Sequence, residues 1–317
     1  MARSSANFIS YDLRPAKQSE RRILLDLLKI TGDSGLAISD YRYVGMGANR
    51  FYDFLLFHKY LGISKMVSLE HDESMFPRAK FNNPYKFINV LNKSSGEFID
   101  SDEFTEPSIL WLDYDGGLSP SMVQDISALS TKLKLGDFCF VTVFGGPPRH
   151  LERVNSVDRL AWFKDEIGDI AGEVQLADVE NASFPNSICK VLVAAFQNAF
   201  AVRRDAEFSL FFQVKYSDSQ TMVTIGGGLF APEMATSISR RVKKLLPFLK
   251  VGEKKLYNIK SLHLTERERV LFDRAVTHKN RRSSERNTLL KLGFEEKDLV
   301  AYKDLIRYLP RYVETIV

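Results

Sequence analysis

Cysteine and long apolar runs are both scarce in this chain, and each shortage narrows what the protein can be. Only two of the 317 residues are cysteines, Cys139 and Cys189, and both lie in apolar stretches. Buried thiols are therefore expected, rather than a disulfide framework or a metal-binding pair. No apolar run approaches the roughly 18 residues that a membrane-spanning helix needs, and no signal segment opens the sequence. These absences predict a cytoplasmic protein in a reducing environment.

Charge is distributed unevenly along the chain. The formal net charge is +4, yet basic residues are twice as numerous as acidic ones from Ser237 to the end. The densest basic cluster comprises Lys279, Arg281, Arg282 and Arg286. A basic C-terminal region can attract an acidic partner such as nucleic acid, and a solvated helical surface explains the same composition equally well.

Helix and strand patterns alternate through the first half of the chain. Strands are predicted at 41–45, 65–70, 86–90, 108–113 and 137–144, and amphipathic helices at 51–61, 73–81 and 120–134. This alternation predicts a parallel sheet with helices on both faces. Two later strands, 208–216 and 221–230, are separated by a short polar turn and predict a β-hairpin. Three glycines, 226–228, predict a bulge or a close backbone contact within it.

The length suggests more than one structural unit. We expect an N-terminal arm and helix at 1–35, an α/β domain at 36–246 and a small basic helical appendage at 247–317. A break in the helical pattern near 247–252 sets the second boundary.

Residues 41–72, YRYVGMGANRFYDFLLFHKYLGISKMVSLEHD, are the most informative stretch. They predict a strand, a tight turn at Gly45-Met46-Gly47, a helix capped by Asn49, and a second strand that ends on Glu70. Glycines let the backbone approach a ligand closely, and a carboxylate roughly 20 residues further on can accept both hydroxyls of a ribose. The stretch therefore predicts a site for a nucleoside-containing cofactor.

At this point the sequence resembles the class I S-adenosylmethionine (SAM)-dependent methyltransferases over roughly residues 36–231. The likeness rests on the glycine turn, Glu70, Asp113 and the hairpin. More narrowly, the chain is similar to a bacterial family of proposed O-methyltransferases in YDLRPAKQSERR at 11–22, YRYVGMGANRFYDF at 41–54, SLEHD at 68–72 and WLDYDG at 111–116. The resemblance implies a Rossmann-like seven-stranded, mostly parallel sheet with a terminal hairpin. It also implies SAM as cofactor and methyl transfer to oxygen or nitrogen.

The sequence departs from the usual glycine motif of that class. Tyr43 and Val44 stand where an acidic residue is usual, and Asn49 stands where a third small residue is usual. One interpretation is a different arrangement around the methionine end of SAM. The alternative is a catalytically silent module that binds nucleic acid or a protein through its basic C-terminal region. A nicotinamide-dependent oxidoreductase is disfavoured by Arg50 at the third-glycine position and by the hairpin.

Asp113 and Asp115 end the fourth predicted strand, where open sheets form their ligand crevice. Alternation along a strand would point both carboxylates the same way. We expect them to be catalytic, with Asp113 acting as a base or contacting the cofactor amine; a turn with capping carboxylates is the alternative. The stretch after strand five, FGGPPRH at 144–150, offers no carboxylate, so no metal is predicted.

The remaining candidates surround the same crevice. His71 is expected near the adenine, together with Gly45, Met46, Gly47 and Glu70 as cofactor-binding residues. Two further segments are candidates for binding the cofactor carboxylate or an anionic substrate. The first is the basic cluster at the start of the first helix, with Arg14, Lys17 and Gln18, followed one helical turn later by Arg21 and Arg22. The second is the loop after strand five, with Arg149. The methyl acceptor stays open between a small molecule, a protein and RNA.

Overall fold

The computed structural model describes residues 14–253, 255–278 and 283–310. The helices in these ranges are α1 (Pro15–Gly32), α2 (Tyr52–Leu61), α3 (Phe76–Phe81), α4 (Ser95–Ser101), α5 (Pro120–Lys132), α6 (Ser156–Ile167), α7 (Phe184–Phe200), α8 (Pro232–Leu245), α9 (Glu266–Thr277), α10 (Ser284–Lys291) and α11 (Glu296–Leu305). The strands are β1 (Arg42–Gly45), β2 (Lys65–Leu69), β3 (Ile88–Leu91), β4 (Ser108–Gly117), β5 (Phe138–Phe144), β6 (Glu207–Ser217), β7 (Thr221–Phe230) and β8 (Tyr257–Ile259). No helix within the described ranges has the length and apolar character to cross a bilayer.

The strands form a single sheet in the order β3-β2-β1-β4-β5-β7-β6-β8. β1 to β5 are parallel, and β7 runs antiparallel to both β5 and β6. The predicted Rossmann-like sheet with a late hairpin is confirmed. The expected strand number is one too low, because β8 pairs in parallel with β6. With only three residues, β8 is too short to show a strand's alternation in the sequence.

The central strands carry apolar side chains on both faces of the sheet, and helices cover both faces and bury them. One core lies between the sheet and α1, α2 and α8, and the other lies between the sheet and α4, α5 and α7. Both cysteines are free and buried, as predicted from the sequence. A third, small cluster is formed within α9, α10 and α11.

The residues that follow α8 are divided between the sheet domain and this small cluster. Val251, Ile259, Leu305 and Tyr308 belong to the same core as α1. Phe272 and other residues of α9 to α11 form the separate cluster. The division at residues 246 and 247 stays a prediction.

Three local features near the crevice differ from the sequence prediction. β4 continues to Gly117, so Asp115 lies within the strand. A helix, α4, begins at a capping box formed by Ser94 and Glu97. Asn49 does not cap α2; the N-cap position is Phe51, whose backbone is left-handed with φ +52°. The chain therefore needs one more tight bend after the glycine turn than the sequence indicates.

The predicted close contact at 226–228 is confirmed. A Cβ atom added at Gly226 would lie 2.3 Å from the Cys139 carbonyl oxygen, and one at Gly227 would lie 1.8 Å from the Ser209 carbonyl oxygen. The β6–β7 register also shifts between Leu210 and Phe212, opposite these glycines. The glycines therefore let β7 fit between β5 and β6.

Replacing Gly227 with alanine is expected to destabilise the fold by about 1–3 kcal/mol, the usual range for overpacking, because backbone atoms must move. Urea unfolding followed by circular dichroism measures the change. Gly172→Ala is the matched control, since nothing lies within 4 Å of its added Cβ. Equal stability of the two variants would contradict the packing role of Gly227.

Candidate active site

A cavity of about 470 Å³ opens at the carboxyl ends of β1, β2 and β4. Strand order changes direction between β1 and β4, and open α/β sheets bind ligands at such a switch point. Five segments line the cavity: Arg21 on α1, the loop 46–50 with Tyr52 and Asp53, the turn 69–72 with Met75, residues 93–95, and Asp113 to Asp115. The structure thus brings together most of the predicted cofactor-binding residues.

Packing requires the two glycines of the first turn. A Cβ at Gly45 would lie 2.5 Å from the Tyr43 hydroxyl oxygen, and one at Gly47 would lie 2.6 Å from the Phe51 ring. The Gly47 N–H donates to the Ser68 hydroxyl at 3.1 Å, which ties the turn to β2. Met46 and Gly47 line the cavity, whereas Gly45 lies behind them against Tyr43.

Glu70 follows β2 and contributes its carboxylate to the cavity wall. One of its oxygens accepts the N–H of Asp72 at 3.0 Å. Burial raises the pKa of the Glu70 carboxyl above its ordinary value, and the Asp72 N–H opposes that shift. His71 is exposed and lines the same cavity.

Asp113 and Asp115 line this cavity and also a smaller one of about 50 Å³. The smaller cavity is bounded further by α1 and the β6–β7 turn, with Arg14, Lys17 and Tyr216 in its wall. Asp218 in the turn accepts the N–H groups of Ala16 and Lys17 at 2.9 and 3.0 Å, so the turn holds the start of α1 in place. The two carboxylates therefore stand between two adjoining cavities.

Lys17 lies between two carboxylates and is only 2 % exposed. Its ammonium is 2.8 Å from Asp113 Oδ2 and 2.9 Å from Glu20 Oε2. Burial would lower the pKa of Lys17, but Asp113 and Glu20 together raise it well above its ordinary value. Burial raises the pKa of Glu20. The Lys17 charge is thus neutralised by Glu20 and Asp113 within the protein, and it is not free to bind an anionic ligand.

The other predicted anion-binding residues are placed apart from one another. Arg14 lines the smaller cavity, while Gln18 lines neither cavity. Arg149 is exposed beyond β5 and lines neither of the two cavities. Roles for Gln18 and Arg149 stay predictions.

The basic cluster of the C-terminal region is described only in part. Lys279, Arg281 and Arg282 lie outside the described residues. Arg286 donates through Nε to Glu296 at 3.0 Å. Within the described ranges, no group of three or more histidine, cysteine or acidic residues is placed to hold a metal ion.

Two residues that the sequence does not single out as ligand-binding line the larger cavity, Arg21 and Asn49. Arg21 appeared only as a neighbour in a basic cluster, yet it is 5 % exposed and lines the cavity. The sequence predicts that Asn49 caps a helix, yet the residue lines the cavity and its amide is buried. Helical spacing supplies a signal for Arg21, because Lys17 and Arg21 are four residues apart and so share one face of α1.

The sheet topology and the cavity at the switch point are those of a Rossmann-like fold with a ligand crevice at its usual place. The chain belongs to the family described as "Putative O-methyltransferase", whose model matches residues 9–317. It is therefore an enzyme of a methyltransferase family. No curated protein is similar enough to count as a match.

Several solved structures have a distantly similar fold. Trm1 from Pyrococcus horikoshii, solved with S-adenosyl-L-methionine, is 12 % identical with a TM-score of 0.47; the match covers 73 % of this chain and 61 % of Trm1. A "putative O-methyltransferase" from Klebsiella pneumoniae is 11 % identical with a TM-score of 0.41, covering 70 % of this chain and 84 % of that one. At these identities the likeness concerns the fold alone.

Proposed function

We propose that the larger cavity binds SAM and that Asp113 and Asp115 assist methyl transfer to an acceptor oxygen at the smaller cavity. The observation that carries this proposal is that both carboxylates line both cavities. SAM supplies a methyl group activated on a sulfonium. The protein must then hold the acceptor in line and exclude water, and such positioning lowers a barrier by roughly 7–11 kcal/mol.

The larger cavity fits the cofactor in size and in its polar groups. Ligand pockets span about 300–1,000 Å³, and 470 Å³ lies within that range. The Glu70 carboxylate would accept the ribose hydroxyls, His71 would lie near the adenine, and Met46 and Gly47 would contact the methionine portion.

The two aspartates are proposed to have different roles because their surroundings differ. Asp113 is partly buried and paired with Lys17, so it is held in a fixed position as the general base for the acceptor hydroxyl proton. Asp115 is exposed at the cavity edge and would bind a polar group of the acceptor. Arg14 brings a cation to the smaller cavity, where an anionic group of the acceptor could bind.

Replacing Glu70 with alanine is expected to weaken binding of the product S-adenosylhomocysteine (SAH) about ten- to hundredfold. A hydrogen bond to a charged acceptor contributes about 1.5–3 kcal/mol, and 1.4 kcal/mol corresponds to tenfold in affinity. Isothermal titration calorimetry measures both affinities. Glu73→Ala is the matched control, because Glu73 is exposed on the next turn and does not line the cavity.

The pH dependence of SAH binding provides a second test of the role of Glu70. The ribose hydroxyls bind the ionised carboxylate, and burial raises the pKa of that group. SAH affinity should therefore fall as the pH drops through a value above the ordinary glutamate range, and Glu70→Gln should remove this dependence. Wild-type affinity in Glu70→Ala would exclude Glu70 as the ribose ligand.

We also propose a cytoplasmic location, a bacterial source and nucleic acid as a partner. The buried free thiols Cys139 and Cys189 support a reducing cytoplasm. A bacterial source rests on the sequence resemblance. Nucleic acid binding by the C-terminal region rests on its basic composition, and the three-part division of the chain rests on its sequence pattern.

A further inference from the structure

Arg21 carries a buried guanidinium that lies over the Tyr52 ring but makes few hydrogen bonds with the surrounding fold. The residue is 5 % exposed. Its Nε and Nη1 atoms are buried and have no hydrogen-bond partner among the residues that the structure describes. The third nitrogen, Nη2, lies 3.9 Å from Asp53 Oδ1, beyond hydrogen-bond distance. The other Asp53 oxygen accepts the Tyr43 hydroxyl.

An unsatisfied guanidinium is costly and points to a missing partner. Leaving a buried donor unpaired costs free energy, and the cost is higher for a charged group. Arginine cannot relieve this cost by losing its proton. Buried unsatisfied groups in a native protein therefore call for a bound water, ion or ligand. The planar fork of donors in arginine matches a carboxylate, which it can bind through two parallel hydrogen bonds.

Asn49 presents a second unsatisfied group in the same cavity. Both its Nδ2 and Oδ1 atoms are buried without a hydrogen-bond partner among the described residues. Asn49 lies in the loop between Ala48 and Phe51, whose backbones are left-handed with φ +44° and +52°. Such backbone conformations cost free energy and concentrate at ligand-binding sites. The loop thus holds an unpaired amide at the cavity instead of using it as a helix cap.

We infer that Arg21, assisted by Asn49, binds the α-carboxylate of the methionine portion of SAM. This inference rests on the proposed function and adds the residue that recognises the amino-acid end of the cofactor. Glu70 at one strand end would bind the sugar. Arg21 then selects ligands that carry a carboxylate over the same nucleoside without one.

The test compares two ligands that differ by that carboxylate alone. SAH carries it, and S-adenosyl-3-thiopropylamine lacks it. Calorimetric affinities for both are measured with the wild type, Arg21→Met and Arg21→Lys. Arg22→Met is the matched control, because Arg22 lies on the same helix, donates to the Tyr308 carbonyl oxygen at 3.1 Å and does not line the cavity.

The wild type should prefer SAH by about ten- to hundredfold, the effect of one charge-assisted hydrogen-bond pair. Arg21→Met should reduce that preference to less than about threefold, chiefly through weaker SAH binding. Arg21→Lys should retain part of it, and Arg22→Met all of it. Asn49→Ala should lower SAH affinity more than the affinity for the carboxylate-free ligand.

Stability of the ligand-free protein provides an independent readout. The Arg21 guanidinium lies 3.9 Å from the Asp53 carboxylate and over the Tyr52 ring, so Arg21→Met removes a cation that lies near Asp53. Arg21→Met should therefore melt somewhat below the wild type but remain folded at the assay temperature, and SAH should raise its melting temperature less than that of the wild type.

Several results would overturn the inference. Equal weakening of both ligands in Arg21→Met, or unfolding of that variant, would make Arg21 a structural residue and leave the proposed function standing. An unchanged ligand preference in Arg21→Met would place the carboxylate elsewhere. Binding of neither ligand by the wild type would overturn both the inference and the proposed function.

Discussion

Replacing Lys17 with methionine is expected to lower the free energy of unfolding by about 3–5 kcal/mol, the cost of breaking a buried ion pair by removing one partner. Methionine keeps the length and much of the volume of the side chain, so the effect reports the charge. Its loss leaves Glu20, which is 0 % exposed, close to Asp113 with no cation between them. The Glu20 carboxylate also accepts the Thr224 hydroxyl, so the disturbance reaches the centre of the sheet.

Urea unfolding monitored by fluorescence measures this loss. Lys29→Met is the matched control, since Lys29 lies on the same helix and is exposed. The destabilisation should be smaller at pH 5 than at pH 8, because protonation relieves uncompensated carboxylates. The double variant Lys17→Met/Glu20→Gln should recover part of the loss. A loss below about 1 kcal/mol, typical of exposed ion pairs, would contradict the buried three-charge arrangement.

Replacing Asp113 with asparagine is expected to lower kcat by at least about 10²-fold, the lower end of the range for a general base. The amide has nearly the same shape but cannot take up the acceptor proton. SAH affinity should change less than kcat, because the proposed cofactor ligands Glu70 and Arg21 are unchanged. Asp115→Asn should mainly raise KM for the acceptor, since its carboxylate is exposed at the cavity edge.

Mass-spectrometric detection of SAH, with the hydroxyl compound that the wild type methylates fastest, gives these rates. Asp100→Asn is the surface control, because Asp100 is exposed on α4. Thermal unfolding must be recorded for each variant, since Asp113→Asn also removes a charge that faces Lys17. Wild-type turnover in a folded Asp113→Asn protein would exclude Asp113 as the base.

The sheet could be predicted from the sequence because each central strand is a short apolar run with the length typical of a buried strand. The glycine turn, Glu70 and Asp113 are separated by long stretches of chain, yet parallel strands bring their carboxyl ends to one edge. That rule places all three at one cavity, where the structure has them. β8 could not be predicted because three residues are too few to show the alternation of apolar and polar side chains that marks a strand. It joins the sheet only through its pairing with β6.

The electrostatics of the site could not be read from the sequence. Lys17 was expected to face an anionic substrate, but α1 packs so that its ammonium meets Glu20 and Asp113. Arg21, one turn further along, is instead left without hydrogen-bond partners among the described residues for two of its nitrogens. Both residues lie on one face of one helix. Lys17 is the one that is neutralised, because it faces Glu20 on the same helix and Asp113 on β4.

A crystal structure of the protein with SAH tests the central claim most directly. The adenosyl group should lie in the cavity at the ends of β1, β2 and β4, with its ribose hydroxyls within hydrogen-bond distance of the Glu70 carboxylate and its methionine portion toward Asp113. Density for SAH at any other place, or a ribose turned away from Glu70, would contradict the proposed cofactor site.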